Sequence, residues 1–140
     1  MQSMCQKMNS IVHTDSKDWP WMIARDTVYR LKGFDPELSY MLLGDDDKVY
    51  ASIRFCHITL YKGYHFDGCT CAPDFFKALP GCAVHDALLQ ILDCAPGLFT
   101  EQLAHEQLYH IHQEHRFPLA KIYYWFVAGW PRKLYKHIIK

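Results

Sequence analysis

The chain carries no excess charge of either sign: over 140 residues, 15 lysines and arginines meet 15 aspartates and glutamates, a formal net charge of zero. No global field therefore draws it toward nucleic acid or an anionic membrane, and nucleic acid is not an expected partner. It lacks the Gly-x4-Gly-Lys-Ser/Thr loop, the Gly-x-Gly-x2-Gly turn, the Gly-x-Ser-x-Gly elbow and the His-Glu-x2-His helix, so the common nucleotide-binding and hydrolase classes lose support. Its longest apolar run, Ile122 to Trp130, falls well short of the roughly 18 to 20 residues that span a bilayer, and no transmembrane segment is expected. Internal repeats and low-complexity tracts are absent as well. The stretch Met1 to Trp21 has no charged-then-apolar run ending in small residues, so a secretory signal is not expected and a reducing compartment is. There Cys5, Cys56, Cys69, Cys71, Cys82 and Cys94 are expected mostly as free thiols packed as small apolar groups.

What the chain does hold is apolar material for one core. Half of its residues are hydrophobic and 15% aromatic, too apolar a balance for disorder, while 21% charged residues keep it soluble. Residues 1–18 are polar and without period and read as a flexible arm, followed by one α+β domain over 19–140 anchored first by Trp19 and Trp21. Between Thr27 and Tyr61, four runs rich in β-branched and aromatic residues predict short strands, two of them joined by the polar turn Gly44 to Lys48. After Pro73 the period becomes helical. A central helix over Gly81 to Ala95, apolar around most of its circumference, is expected to be surrounded by other elements. Thr100 suits the N-cap of a second helix over Glu101 to His115, Pro118 restarts the chain at a third, and Pro131 ends or kinks that one. The fold class is thus α+β, a small antiparallel sheet from the N-terminal half packed on three helices from the C-terminal half.

Three constellations can carry chemistry. His85 and Asp86 are expected in the first turn of the central helix, where unpaired N–H groups and the positive end of the macrodipole favour a carboxylate and disfavour an imidazolium. With Asp67 from the preceding loop they would gather two carboxylates and a neutral imidazole, a set that binds a divalent metal ion or accepts a proton. The same residues also suit a purely structural role, since acidic first turns are stabilising and Asp-Gly is ordinary turn chemistry. The second constellation is Cys69, Cys71, Cys82 and His85, a three-cysteine, one-histidine zinc set weighed against plain buried thiols. The third is a stripe of Glu101, His105, Leu108, His112 and His115, in which His112 and His115 can chelate a metal together but a solvated or half-buried face is the plainer reading. The tail from Trp125 mixes aromatics with Arg132, Lys133, Lys136 and Lys140, a pattern of surface-binding segments. A last helix laying its aromatic face on the sheet would explain Tyr123, Tyr124, Trp125 and Phe126 without any partner.

Gly63, Phe66, Asp67, Gly68, Thr70 and Pro73 fit a pattern of Gly-aromatic-x-aromatic-Asp-Gly-small-Ser/Thr followed by proline, and His85, Asp86, Ala87 and Leu88 fit a small-x-x-His-Asp-Ala-Leu-Tyr helix start. In these residues the chain resembles a family of small phage and prophage proteins defined only as a domain of unknown function, over roughly Tyr61 to Trp130, about half its length. Ala104, Tyr123, Tyr124, Val127 and Gly129 resemble later parts of that pattern more loosely. The chain departs from it at His105, where the family tends to have aspartate, and at Leu89, where it has tyrosine. The resemblance implies a viral or prophage origin, and a place in the host cytoplasm or the virion, but no reaction.

The expected function is that of a phage accessory or virion-associated protein binding a phage or host protein, with Asp67, Gly68, His85 and Asp86 locking the sheet-to-helix connection. One alternative is a metal-dependent hydrolase in which Asp67, His85 and Asp86, with His105 or His112, hold the divalent ion. The other is peripheral membrane or nucleic-acid binding through the basic, aromatic C-terminus.

Overall fold

A computed structural model describes residues 10–69 and 73–129. Among them seven strands precede three helices: β1 (Ile11–His13), β2 (Trp21–Ile23), β3 (Thr27–Arg30), β4 (Tyr40–Leu43), β5 (Val49–Arg54), β6 (His57–Leu60), β7 (His65–Phe66), α1 (Leu79–Cys94), α2 (Glu101–Glu114) and α3 (Ala120–Gly129). The α+β organisation is the expected one, with the strands divided between two antiparallel sheets.

Alternation builds the four-stranded sheet, ordered β3-β6-β5-β4. Thr27 and Tyr29 are buried while Val28 and Arg30 are exposed, the period-two pattern of a strand with one face on the core. Pairing aligns the inward residues in rows across all four strands: Tyr29, Ile58, Ile53 and Tyr40 in one, Thr27, Leu60, Ala51 and Leu42 in the next. The Gly44 to Lys48 turn closes the β4–β5 hairpin, the Gly44 N–H donating to the Lys48 carbonyl at 2.8 Å. Between β5 and β6 the chain reverses through Phe55 and Cys56, whose φ values of 50° and 59° make the turn backbone usually given to Asn-Gly.

The second sheet, ordered β1-β2-β7, uses segments too short to show a period. It corrects the expected arm over residues 1–18. Ile11 pairs with Ile23, and Ser10 and Ile11 are buried, so order begins before Trp19; residues 1–9 lie outside the described residues. Trp21 pairs with Phe66, which brings the chain before the four-stranded sheet beside the chain after it.

The central helix begins at Leu79 rather than Gly81, because proline is tolerated in a first turn, where its missing N–H would have no partner, and Pro80 takes that place. As expected it is buried nearly all round, and it divides the interior in two. Val84, Leu88 and Ile91 join the sheets in the larger core, whereas Cys82 joins Leu108, Phe117, Tyr123 and Val127 in a smaller one. Gly81 permits the close approach of α2: a Cβ there would lie 2.5 Å from the His112 ring. Thr100 caps α2 as expected, its hydroxyl accepting the Leu103 N–H at 3.1 Å. The third helix differs from expectation. It packs on α2 rather than on a sheet, burying Ala120, Tyr123 and Val127 and leaving Ile122, Trp125 and Phe126 exposed, Trp125 by 77%. Pro131 and the basic tail lie outside the described residues.

Gln107, on α2 and buried, ties the helices to the four-stranded sheet. Its Oε1 accepts the Lys32 N–H at 2.7 Å, and its Nε2 donates to the carbonyls of Lys32 at 2.8 Å and Leu103 at 3.1 Å. Removing the amide strands both backbone groups of Lys32 in a partly dry site, so Gln107→Ala should lower stability by about 2–3 kcal/mol in urea unfolding. An unchanged midpoint would mean that water replaces the amide without cost.

Candidate functional site

The loop before α1 is held by a carboxylate that the sequence reading passed over. Asp74, just after Pro73, accepts the Cys69 N–H on Oδ1 at 2.6 Å and the Trp21 indole N–H on Oδ2 at 3.0 Å. Gly68 sits between at φ +97°, and a Cβ there would lie 2.4 Å from Asp74 Oδ1, so glycine is required both by conformation and by space. The Tyr123 hydroxyl donates to the Pro73 carbonyl, pinning the same loop to α3. A disulfide completes the closure. Cys69 is bonded to Cys82 in the first turn of α1, their Cα atoms 5.1 Å apart, which corrects the expectation of free thiols at these two positions. Cys56 and Cys94 are free, and Cys5 and Cys71 lie outside the described residues.

Asp86 and Asp67 both act on one tyrosine. Because α1 starts at Leu79, Asp86 falls two turns in, beyond the reach of the helix end, and its expected stabilisation by the macrodipole does not apply. Instead its Oδ2 accepts the Tyr64 hydroxyl at 3.1 Å and the Gln90 amide at 3.0 Å. Burial, then the charge and hydrogen bond of Asp86, then the charge of Asp67, hold the Tyr64 phenol well above its usual range. Asp67 itself is raised, mainly by burial and further by the charge of Asp74, against a lowering bond from its own backbone N–H. Its Oδ1 is buried without a hydrogen-bond partner.

The histidine stripe is buried, not solvated. His85 and His105 face each other across α1 and α2 with Nε2 and Nδ1 2.8 Å apart, one ring donating to the other's lone pair. His112 Nε2 donates to the Ala78 carbonyl at 3.0 Å, so its Nδ1 carries the lone pair, buried and without a hydrogen-bond partner. Its ring packs edge-on against Phe117 and Tyr123. Burial, and secondarily the neighbouring His115, depress its pKa to about 4 against the raising bond to Ala78. His115 Nδ1 donates to the Ile111 carbonyl at 3.0 Å. Of the expected ligands, then, His85 meets His105, Asp86 meets Tyr64 and Gln90, and Asp67 stands near Asp74. Among the described residues no group of three or more His, Cys, Asp or Glu side chains is placed to hold a metal ion.

Beside the Tyr64–Asp86–Gln90 cluster opens a groove of about 830 Å³ between the β4–β5 hairpin and the chain joining β1 to β2. Trp19, Leu42, Leu43 and Tyr50 supply its apolar wall, Asp45 and Asp46 its rim, and Tyr64 and Gln90 part of its lining. No signal in the sequence marked it, because its lining comes from four separate stretches of chain. No protein-family model, no curated protein and no solved structure matches this chain.

Three outcomes follow from the two carboxylates and the imidazole. Asp74→Ala leaves the buried Cys69 N–H unpaired and should cost about 1–3 kcal/mol in urea unfolding. A carboxyl raised on folding costs stability above its unfolded pKa, so Asp67→Asn at pH 7 should leave the midpoint unchanged or raise it. A large loss from Asp67→Asn with none from Asp74→Ala would reverse these roles. For His112 the sign is opposite: the unfolded chain binds its proton near pH 6.5 and the folded one only near 4. Stability should therefore fall as pH drops through that window, by about 3 kcal/mol from this group, and the fall should be correspondingly smaller in His112→Phe. Parallel pH profiles of the two proteins would contradict the assignment.

Proposed function

We propose that this chain is a small binding protein, of phage or prophage origin as its resemblance implies, that takes a basic segment of a protein partner into the groove beside Tyr64. The observation that carries the reading is the groove itself. Its volume lies in the range of sites that enclose a side chain or small ligand, and its apolar wall includes Trp19, 47% exposed. Its lining includes the carboxylates Asp45 and Asp46, the latter 3.8 Å from the exposed Lys48 ammonium, and among the described residues no lysine or arginine. An aromatic wall under a rim of negative charge suits a lysine or arginine flanked by an apolar residue, through charge pairing and cation–π contact. Exposed tryptophan and tyrosine supply large contact area at small entropic cost, and such residues dominate binding hot spots.

The alternatives have less to rest on. A metal-dependent hydrolase built on Asp67, His85 and Asp86 needs those groups to converge on one ion, and His85 and Asp86 are engaged with different side chains. Membrane or nucleic-acid binding by the basic C-terminus concerns a segment outside the described residues.

Selection from a random-peptide display library tests the proposal. Enriched peptides should carry a lysine or arginine beside an aromatic or aliphatic residue, and their binding should weaken with salt. Trp19→Ala, and Asp45→Lys with Asp46→Lys, should each weaken binding by at least about tenfold while the circular dichroism spectrum is unchanged. No enrichment, or enriched peptides indifferent to these substitutions, would overturn the reading.

A further inference from the structure

The smaller core holds donor chemistry that the groove does not use. Cys82 Sγ, bonded to Cys69, lies 3.9 Å from His112 Nε2. One turn along α1 from Cys82, His85 lines with both cysteines a cavity of about 10 Å³, enclosed otherwise by Gly68, Leu108, Tyr123 and Val127. That is room for about one water molecule or one metal ion. While the sulfurs are bonded to each other they have no valence for a ligand, in keeping with the lack of a three-donor group in this form. Reduction changes the donor set. A phosphine or dithiol reductant supplies two electrons, the S–S bond breaks, two protons are taken up, and two thiols stand beside the His112 imidazole, with His85 lining the same small cavity.

We propose that the reduced protein binds a zinc ion here, through the thiolates of Cys69 and Cys82 and the imidazole of His112, in the cavity that His85 also lines. Binding then displaces the two thiol protons and leaves a neutral site, the state an apolar core tolerates. Distances favour it. Zinc–sulfur and zinc–nitrogen bonds at a tetrahedral angle place sulfur and nitrogen about 3.6 Å apart, close to the 3.9 Å already present between Cys82 and His112. Two sulfurs on one tetrahedral zinc stand about 3.8 Å apart, a separation that side-chain rotation can reach from Cα atoms 5.1 Å apart. Ligation by Nε2 exchanges the hydrogen bond of His112 to the Ala78 carbonyl for the metal and leaves the ring proton on Nδ1. Cys82 lies in the first turn of α1, where a thiolate is stabilised. The disulfide and the metal are thus alternative closures of one loop.

The test uses the full chain, reduced with a phosphine and titrated anaerobically with cobalt(II) and then zinc against a chromophoric chelator. The reduced protein should take up stoichiometric metal, with the thiolate charge-transfer and strong visible bands of tetrahedral cobalt, and the oxidised protein none. Cys69→Ser and Cys82→Ser should each lose more than about hundredfold in affinity, beyond what a change outside the ligand shell costs. His112→Ala should shift the visible cobalt bands while keeping the charge-transfer band, and Cys56→Ser and Cys94→Ser should behave as wild type. Reduced wild type with a native circular dichroism spectrum that binds no cobalt would overturn the proposal. So would equal binding by oxidised protein, or a cobalt spectrum unmoved by His112→Ala. The wild-type spectrum decides even if a cysteine variant fails to fold.

Discussion

A helix without a solvent face must be enclosed, and enclosing α1 is the constraint from which the other contacts follow. Its larger apolar side needs a sheet, and the inward rows of the four-stranded sheet provide one. Its remaining side needs α2, which comes close only because Gly81 has no side chain in the way of His112. The loop that delivers the chain to α1 cannot then wander. Asp74 fixes it to Trp21, Tyr123 fixes it to α3, and Cys69 fixes it to α1 itself. Gln107 closes the remaining gap between α2 and the sheet.

Enclosure also explains what the sequence could and could not disclose. Strands β3 to β6, the Gly44 to Lys48 turn and the Thr100 cap were legible because each is decided within a few neighbouring residues. Strands β1, β2 and β7 were not, since two or three residues carry no period, and β7 exists only through a partner distant in sequence. The start of α1 was misplaced by two residues because Pro80 reads as a breaker yet is tolerated in a first turn. That small displacement removes Asp86 from the helix end. The histidine stripe was misjudged for another reason: polar type suggests solvent, while pairing between two helices, which no one-dimensional pattern reveals, makes burial acceptable.

Position 105 shows how a seam of this kind can be retuned. His85 is the side chain that position meets. A carboxylate would pair with His85 by charge and fix its ring as a donor. An imidazole needs only one ring proton between the two and no formal charge. With His112 also held neutral, α1 and α2 meet across polar groups that bring hydrogen-bond direction without the desolvation cost of ions.

The pairing of β2 with β7 orders the assembly of the chain in time. Beyond their pairing with β1, residues 21–22 find their second partner strand only at 65–66, and Trp21 finds its carboxylate 53 residues downstream. Between them the β4–β5–β6 meander closes through short turns and can form while synthesis continues. A ribosome must therefore expose the whole four-stranded sheet before the first strands can be finished, and α1 follows at once to cover its apolar rows. Strand β2, made before the four-stranded sheet, is secured along its second edge only after it.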